Sequence, residues 1–148
     1  MEVASILCHT STATIATDVA TAFAKLAGAF DSQGLTPGGP PILISHDIID
    51  QENSGDIEVA VPIVPRFEPV APVTIRQMGA CQIASIVHVG PFKDVTGAYH
   101  TLAAWLQTEQ YELIGPTREV YLTDPRTVAP QHLKTRVEFP VASTETNA

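Results

Sequence analysis

The sequence predicts an α+β fold in which one βαββ unit is used twice, giving a mostly antiparallel sheet with two helices on one face. Three observations point there. A Gly-Pro turn follows an aromatic helix residue at the same spacing in each half (Phe23 to Pro40, Tyr99 to Pro116). Each half closes in an alternating strand broken by a proline, Pro62 in DIEVAVPIV and Pro140 in TRVEFPV. These marks recur with a period of roughly 76 residues, the signature of a repeated supersecondary unit that buries its apolar face poorly alone. Such a pair leaves a central cleft between its helices, on the pseudo-twofold axis.

Repeat one spans 1–64. A short strand over 3–8 is rich in apolar and β-branched residues. A helix follows over 14–33, with Ile15, Val19, Phe23, Leu26 and Phe30 at the spacing of one helical face. Gly34 stops it and Pro37 lies just beyond. Strands are expected over 41–46 and 57–63, separated by the acidic loop 47–56. The connector 65–72, PRFEPVAP, is too proline-rich for a helix or a central strand. Repeat two spans 73–141. It opens with an interrupted strand region over 73–89, in which Gly79 marks a bulge or turn. Gly90 and Pro91 lead into a helix over 92–110, where Val95, Tyr99, Leu102 and Leu106 form the apolar stripe and Ala98 and Trp105 its shoulder. Strands over 118–123 and 135–141 complete the unit, and a polar tail, 142–148, is expected to fray.

Composition narrows the function classes. The chain of 148 residues has the size of one domain, and 45% hydrophobic content supplies a sizeable core. Charged residues make up only 16%, below the usual quarter, which argues against a disordered chain or a coiled coil. A formal charge of −8, with the basic residues scattered, argues against direct nucleic-acid binding. No apolar run approaches the roughly 18 residues of a membrane span. The opening MEVASILCHT lacks the features of a secretory signal, and Cys8 and Cys81 form no close-spaced motif, so a cytoplasmic, reduced protein is expected. Whether the two thiols meet in space stays open. No cofactor loop appears: Gly38-Gly39 opens a strand and not a helix, so it reads as a turn.

The copies differ informatively. The second carries Glu119 and Tyr121 where the first has Leu43 and Ser45. An acid in one of two related strands suggests a site near the axis between them. Glu119 and Tyr121 alternate along a strand and so share a face, which meets either the helices or solvent. Arg118 must face the other way, in a surface ion pair worth under about 1 kcal/mol. Trp105, the sole tryptophan, reads equally as core or ligand contact. Tyr99 and Phe23 occupy matched helix positions, and Phe139 and Val61 matched strand positions; both pairs also read as packing.

His88 precedes the Gly-Pro-Phe turn and reads as structural. His9, His46, His100 and His132 show no metal-ligand spacing, so no metal is expected. Asp47, Asp50, Glu52 and Asp56 do not match a calcium loop and read as a solvated turn. No spacing suggests a serine or cysteine triad.

The motifs H-x-G-P-F (88–92), A-Y-x-x-L-x-x-W (98–105), G-P-x-R-E-V-Y-L-x-D-P (115–125) and T-x-V-E-x-P-V (135–141), with G-L-T-P-x-G-P-P and E-V-x-V-P in the first half, carry a resemblance. Together they resemble the GyrI-like small-molecule-binding domain, also found as the effector-binding domain of AraC- and MerR-type multidrug regulators. The resemblance implies two βαββ repeats around an apolar pocket with an acid, here Glu119, reaching its floor. It implies binding of hydrophobic, often cationic compounds, with Trp105, Tyr99, Phe23, Leu43, Ser45 and Phe139 as candidate contacts. Some members instead hydrolyse cyclopropane-bearing natural products, which would make Glu119 and Tyr121 the catalytic pair. Others act on a protein, as in gyrase inhibition.

A carboxylate in an apolar pocket is costly to ionise unless paired. Ionised, Glu119 would offset a lipophilic cation, with cation–π help from Trp105 or Tyr121. Protonated, it would act as a general acid and then assist a water. Two departures from the family pattern stand out. Ser45 replaces a tyrosine common in relatives, and the first strand begins almost at Met1, as an abbreviated edge or a chain cut from a longer one would. That open edge leaves room for pairing between copies.

Overall fold

The computed structural model of the protein describes residues 1–144, in an α+β fold of eight strands and two α-helices. The chain forms two compact units, residues 1–80 and 81–148.

In the first unit, β1 (Glu2–Thr10) leads to α1 (Ile15–Ser32), β2 (Ile42–Ser45), β3 (Gly55–Pro62) and β4 (Thr74–Gln77). The strands pair antiparallel in the order β4-β1-β3-β2. One face of this sheet presents Ala4, Ile6, Val59 and Val61 to Ala22, Leu26 and Phe30 of α1. The connector contributes as well: Phe67 stacks on Phe30 at 4.4 Å, and Val73 joins the same core. The glycine expected to stop α1 does so. Gly34 adopts φ 67°, its N–H bonds to Asp31 and the Leu35 N–H reaches back to Phe30, the pattern of a Schellman cap. Leu35 then packs onto the core that the helix covers.

Two expectations change here. The region 73–89 is not one interrupted strand: its first part, β4, pairs with β1, and the Met1 amino group and carbonyl clamp Met78 at the end of that ladder. β1 is therefore nine residues long and lies between β3 and β4, so it offers no open edge for a second copy.

The second unit contains β5 (Ile83–Val89), a 3-10 turn (Phe92–Asp94), α2 (Thr96–Thr108), β6 (Tyr111–Leu113), β7 (Thr117–Tyr121) and β8 (Lys134–Ser143). β8 is its spine, pairing antiparallel with β5, β6 and β7. Ala98, Leu102 and Leu106 of α2 pack on Ala84, Val137, Phe139 and Val141. The tail anticipated from Ala142 begins later, because Ala142 and Ser143 pair with Glu112 and Tyr111. Residues 145–148 of that tail lie outside the described residues.

Neither proline breaks its strand. The Ile63 N–H bonds to Glu2 and the Val141 N–H to Gln82, so the pairs Val3/Pro62 and Ile83/Pro140 fall between ladder bonds. The missing N–H of Pro62 points beyond the end of β2, and that of Pro140 into the step where β8 passes from β7 to β6. No ladder bond is lost at either position.

Candidate ligand-binding site around Glu119

β7 alternates between the two faces of its sheet. Glu119 and Tyr121 lie opposite Val137 and Thr135, whereas Arg118 and Val120 lie opposite Glu138 and Arg136. Val137 is a core residue under α2, so Glu119 and Tyr121 share the α2 side. There the Tyr99 hydroxyl, from α2, donates to Glu119 Oε2 at 2.7 Å, and the Tyr121 hydroxyl donates to Oε1 at 3.3 Å. Phe92 meets the Tyr121 ring edge-on at 5.3 Å, and Tyr99 tilts against Phe139 at 5.8 Å. The carboxylate is thus held by two phenols within an aromatic surround.

Burial first, and the Glu119 charge second, push both phenols well above their ordinary range. Both hydroxyls therefore stay protonated and remain donors at any physiological pH. Beside Tyr121 in the ladder, the fully buried Thr135 carries a hydroxyl with no hydrogen-bond partner. Such orphans are uncommon and mark a place to look for function.

Of the residues singled out from sequence, Glu119, Tyr121, Tyr99 and Phe139 come together. Trp105 is placed differently: its ring lies 44% exposed and stacks on Tyr111 at 5.6 Å, with an interplanar angle of 10°. Phe23, Leu43 and Ser45 belong to the first unit. Phe23 packs on the α1 core, Leu43 is buried in β2, and Ser45 ends that strand half-buried opposite Ile57.

Two members of the cluster were missed. Phe92 was visible in the Gly-Pro-Phe turn, and Thr135 follows from the β7–β8 register, which the sequence does not print. Arg118 corrects another expectation. It forms no surface pair; its Nε lies 3.1 Å from Glu138 Oε1 with both side chains nearly buried, close enough for charge attraction though off a hydrogen-bond axis. Arg136 holds the other Glu138 oxygen at 2.7 Å.

His88 Nε2 lies 3.0 Å from the Pro91 carbonyl in the turn before α2. Cys8 and Cys81 are free thiols. Among the described residues no group of three His, Cys, Asp or Glu could hold a metal ion, and no helix is long and apolar enough to cross a membrane.

The chain belongs to the GyrI-like small molecule binding domain family, whose model matches residues 1–142. Its fold is similar to that of the EcmrR C-terminal domain, with a TM-score of 0.78 and 20% identity over 96% of this chain and 91% of that one. In the EcmrR–DNA complex the values are 0.81 and 19%, and the chain spans 54% of EcmrR's length. SAV2435 bound to tetraphenylphosphonium matches at a TM-score of 0.66 and 15% identity, covering 96% of this chain and 88% of that one. A hydrolase from Listeria innocua matches at 0.66 and 16%, covering 96% and 87%. No curated protein sequence matches the chain.

Proposed function

We propose that this protein, reading its two units as copies of one βαββ pattern, is a cytoplasmic binding module for hydrophobic, cationic small molecules of varied structure. Glu119 serves as the counter-ion. The observation that carries this reading is the carboxylate fixed by Tyr99 and Tyr121. Because the phenols hold both oxygens, the charge needs no reorganisation when a ligand arrives. Phe92, 38% exposed, and the half-buried Tyr99 and Tyr121 offer rings for cation–π contact, with Phe139 packed behind Tyr99. A compact hydrated cation loses more water on entering such surroundings than a cation whose charge is spread over aryl groups, which sets the selectivity. SAV2435, of the same fold, is bound to tetraphenylphosphonium, which makes that cation the natural probe.

Titration calorimetry provides the test. Tetraphenylphosphonium is expected to bind the wild type, with affinity falling at least about tenfold, or 1.4 kcal/mol, in Glu119→Gln. Tetraphenylborate, of the same shape and opposite charge, is expected not to bind. Equal affinity for both ions, or an unchanged Kd in Glu119→Gln, overturns the counter-ion role.

A second reading is favoured by the unpartnered hydroxyl of Thr135, which lies opposite Tyr121 on the strand face it shares with Glu119. In that reading Thr135 orients a water while protonated Glu119 delivers its proton to one carbon of a strained cyclopropane. The ring C–C bond breaks, water adds to the other carbon, and its released proton returns to Glu119. The product gains the mass of one water. Mass spectrometry that recovers every cyclopropane ligand intact excludes this reading and leaves binding untouched.

A further inference from the structure

The first unit contains a second group of reactive side chains, far in sequence from Glu119 and unused by the reading above. His9 is the penultimate residue of β1 and Asp56 the second of β3, directly opposite each other in the ladder. The Ile63-to-Glu2 bond fixes the alternation along this pair, so His9/Asp56 falls on a non-hydrogen-bonded position, where facing side chains approach most closely. His9 Nδ1 lies 2.9 Å from Asp56 Oδ1, and His9 Nε2 lies 3.0 Å from Ser54 Oγ. A carboxylate can only accept, so Nδ1 carries the proton. In the neutral ring Nε2 is then the acceptor, and the Ser54 hydroxyl donates to it. This is the tautomer that a general base needs.

The surroundings fix these groups in place. Gly55, between Ser54 and Asp56, has no room for a side chain, since a Cβ there would fall 2.5 Å from Asp47 Cβ. Asp47 in turn accepts the Asp56 N–H at 2.8 Å. Asp50 ties down the preceding turn through the Glu52 and Asn53 N–H groups. The arrangement escaped the sequence because nucleophile, base and acid are recognised by geometry and not by order or spacing.

We propose that Ser54, His9 and Asp56 form a nucleophilic triad that cleaves small activated esters. Ser54 Oγ attacks the ester carbonyl carbon while its proton passes to His9 Nε2, and Asp56 orients the resulting imidazolium. The carbonyl–alkoxy bond breaks and His9 returns the proton to the leaving oxygen. Water, deprotonated by the same nitrogen, then releases the acid and restores Ser54. The net change is ester plus water to acid plus alcohol, with no oxidant or metal. The His9 and Asp56 side chains are 67% and 45% exposed, so a substrate reaches them directly and is not gripped by walls. That favours small esters with good leaving groups over bulky ones. Asp47, Asp50 and Glu52 in the same loop favour neutral or cationic esters over anionic ones.

The full chain is treated with a fluorophosphonate, the modified residue is located by peptide mass spectrometry, and p-nitrophenyl acetate hydrolysis is followed in parallel. Label is expected on Ser54 alone. It should vanish in Ser54→Ala and form at least about a hundredfold more slowly in His9→Gln, the size of a lost general base. Glu119→Gln is expected to label as the wild type does, which separates this site from the other. Circular dichroism of each variant confirms an intact fold. Absence of label on Ser54, an unchanged labelling rate in His9→Gln, or ester hydrolysis undiminished in Ser54→Ala would each overturn the proposal.

Discussion

At the scale of single residues, the buried carboxylate of Glu58 shows what pairing does. Glu58 is 4% exposed on β3, opposite the face that meets α1. Arg76 grips it through two nitrogens, one at 2.7 Å from Oε1, and His46 Nε2 lies 2.9 Å from the same oxygen. Burial alone would raise its pKa, but Arg76, His46 and Ser5 together hold it below the ordinary 4.5. A lowered carboxyl contributes stability that is present above that value and lost as pH falls through the folded one. Glu58→Gln is therefore expected to cost about 2 kcal/mol at neutral pH, the size of a hydrogen bond to a charged group. It should also flatten the loss of stability below pH 4.5, as read by urea titration across the acid range. The phenols of Tyr99 and Tyr121 behave oppositely in pH. Their raised values mean that the unfolded chain ionises first, so stability holds below pH 10.0 and declines above it. Tyr99→Phe is expected to lessen that alkaline decline.

At the scale of elements, the cores explain which substitutions matter. Phe30, on α1, is 1% exposed in the first core and stacked on the Phe67 ring, so Phe30→Ala is expected to cost about 3–5 kcal/mol in denaturant unfolding. Gly34→Ala forces a side chain into the left-handed region and should cost about 1–2 kcal/mol, with α1 fraying from its C-terminus. These positions were legible in the sequence: the stripe ending at Phe30 and the glycine after it are local signals. What stayed hidden was pairing between distant segments. β4 looked like the start of the second repeat because nothing local says that Ile75 pairs with Ala4. The three residues of β6 are too few for a periodic signal. The site divides the same way. Glu119 and Tyr121 could be read from one strand, whereas the Tyr99 bond and the place of Thr135 depend on tertiary register. Trp105 sat on the shoulder of its helical stripe, and the Tyr111 ring stacked against it was invisible to helix periodicity.

At the scale of the whole molecule, each unit carries its own apolar core. Hydrogen exchange is expected to show two separate groups of slow amides, one in β1 and β3 and one along β8, the strands with most partners in their ladders. A single protected cluster confined to one unit would contradict this. The net charge of −8 acts over the entire surface, drawing cations and repelling polyanions. Tetraphenylphosphonium association should accordingly slow as salt rises, and the part of its affinity set at Glu119 should change less.

The stacked pair Trp105–Tyr111 equips the protein with an optical reporter. As the one tryptophan, Trp105 supplies all emission excited at the red edge of the absorption band, and its ring stands on α2 against Tyr111 of β6. Intrinsic fluorescence will thus follow the melting of α2 against β6 in the second unit. A ligand resting on Glu119 alters that emission to the extent that it reaches the indole or shifts α2. A silent titration would then describe where the indole sits, and would say nothing about an empty site.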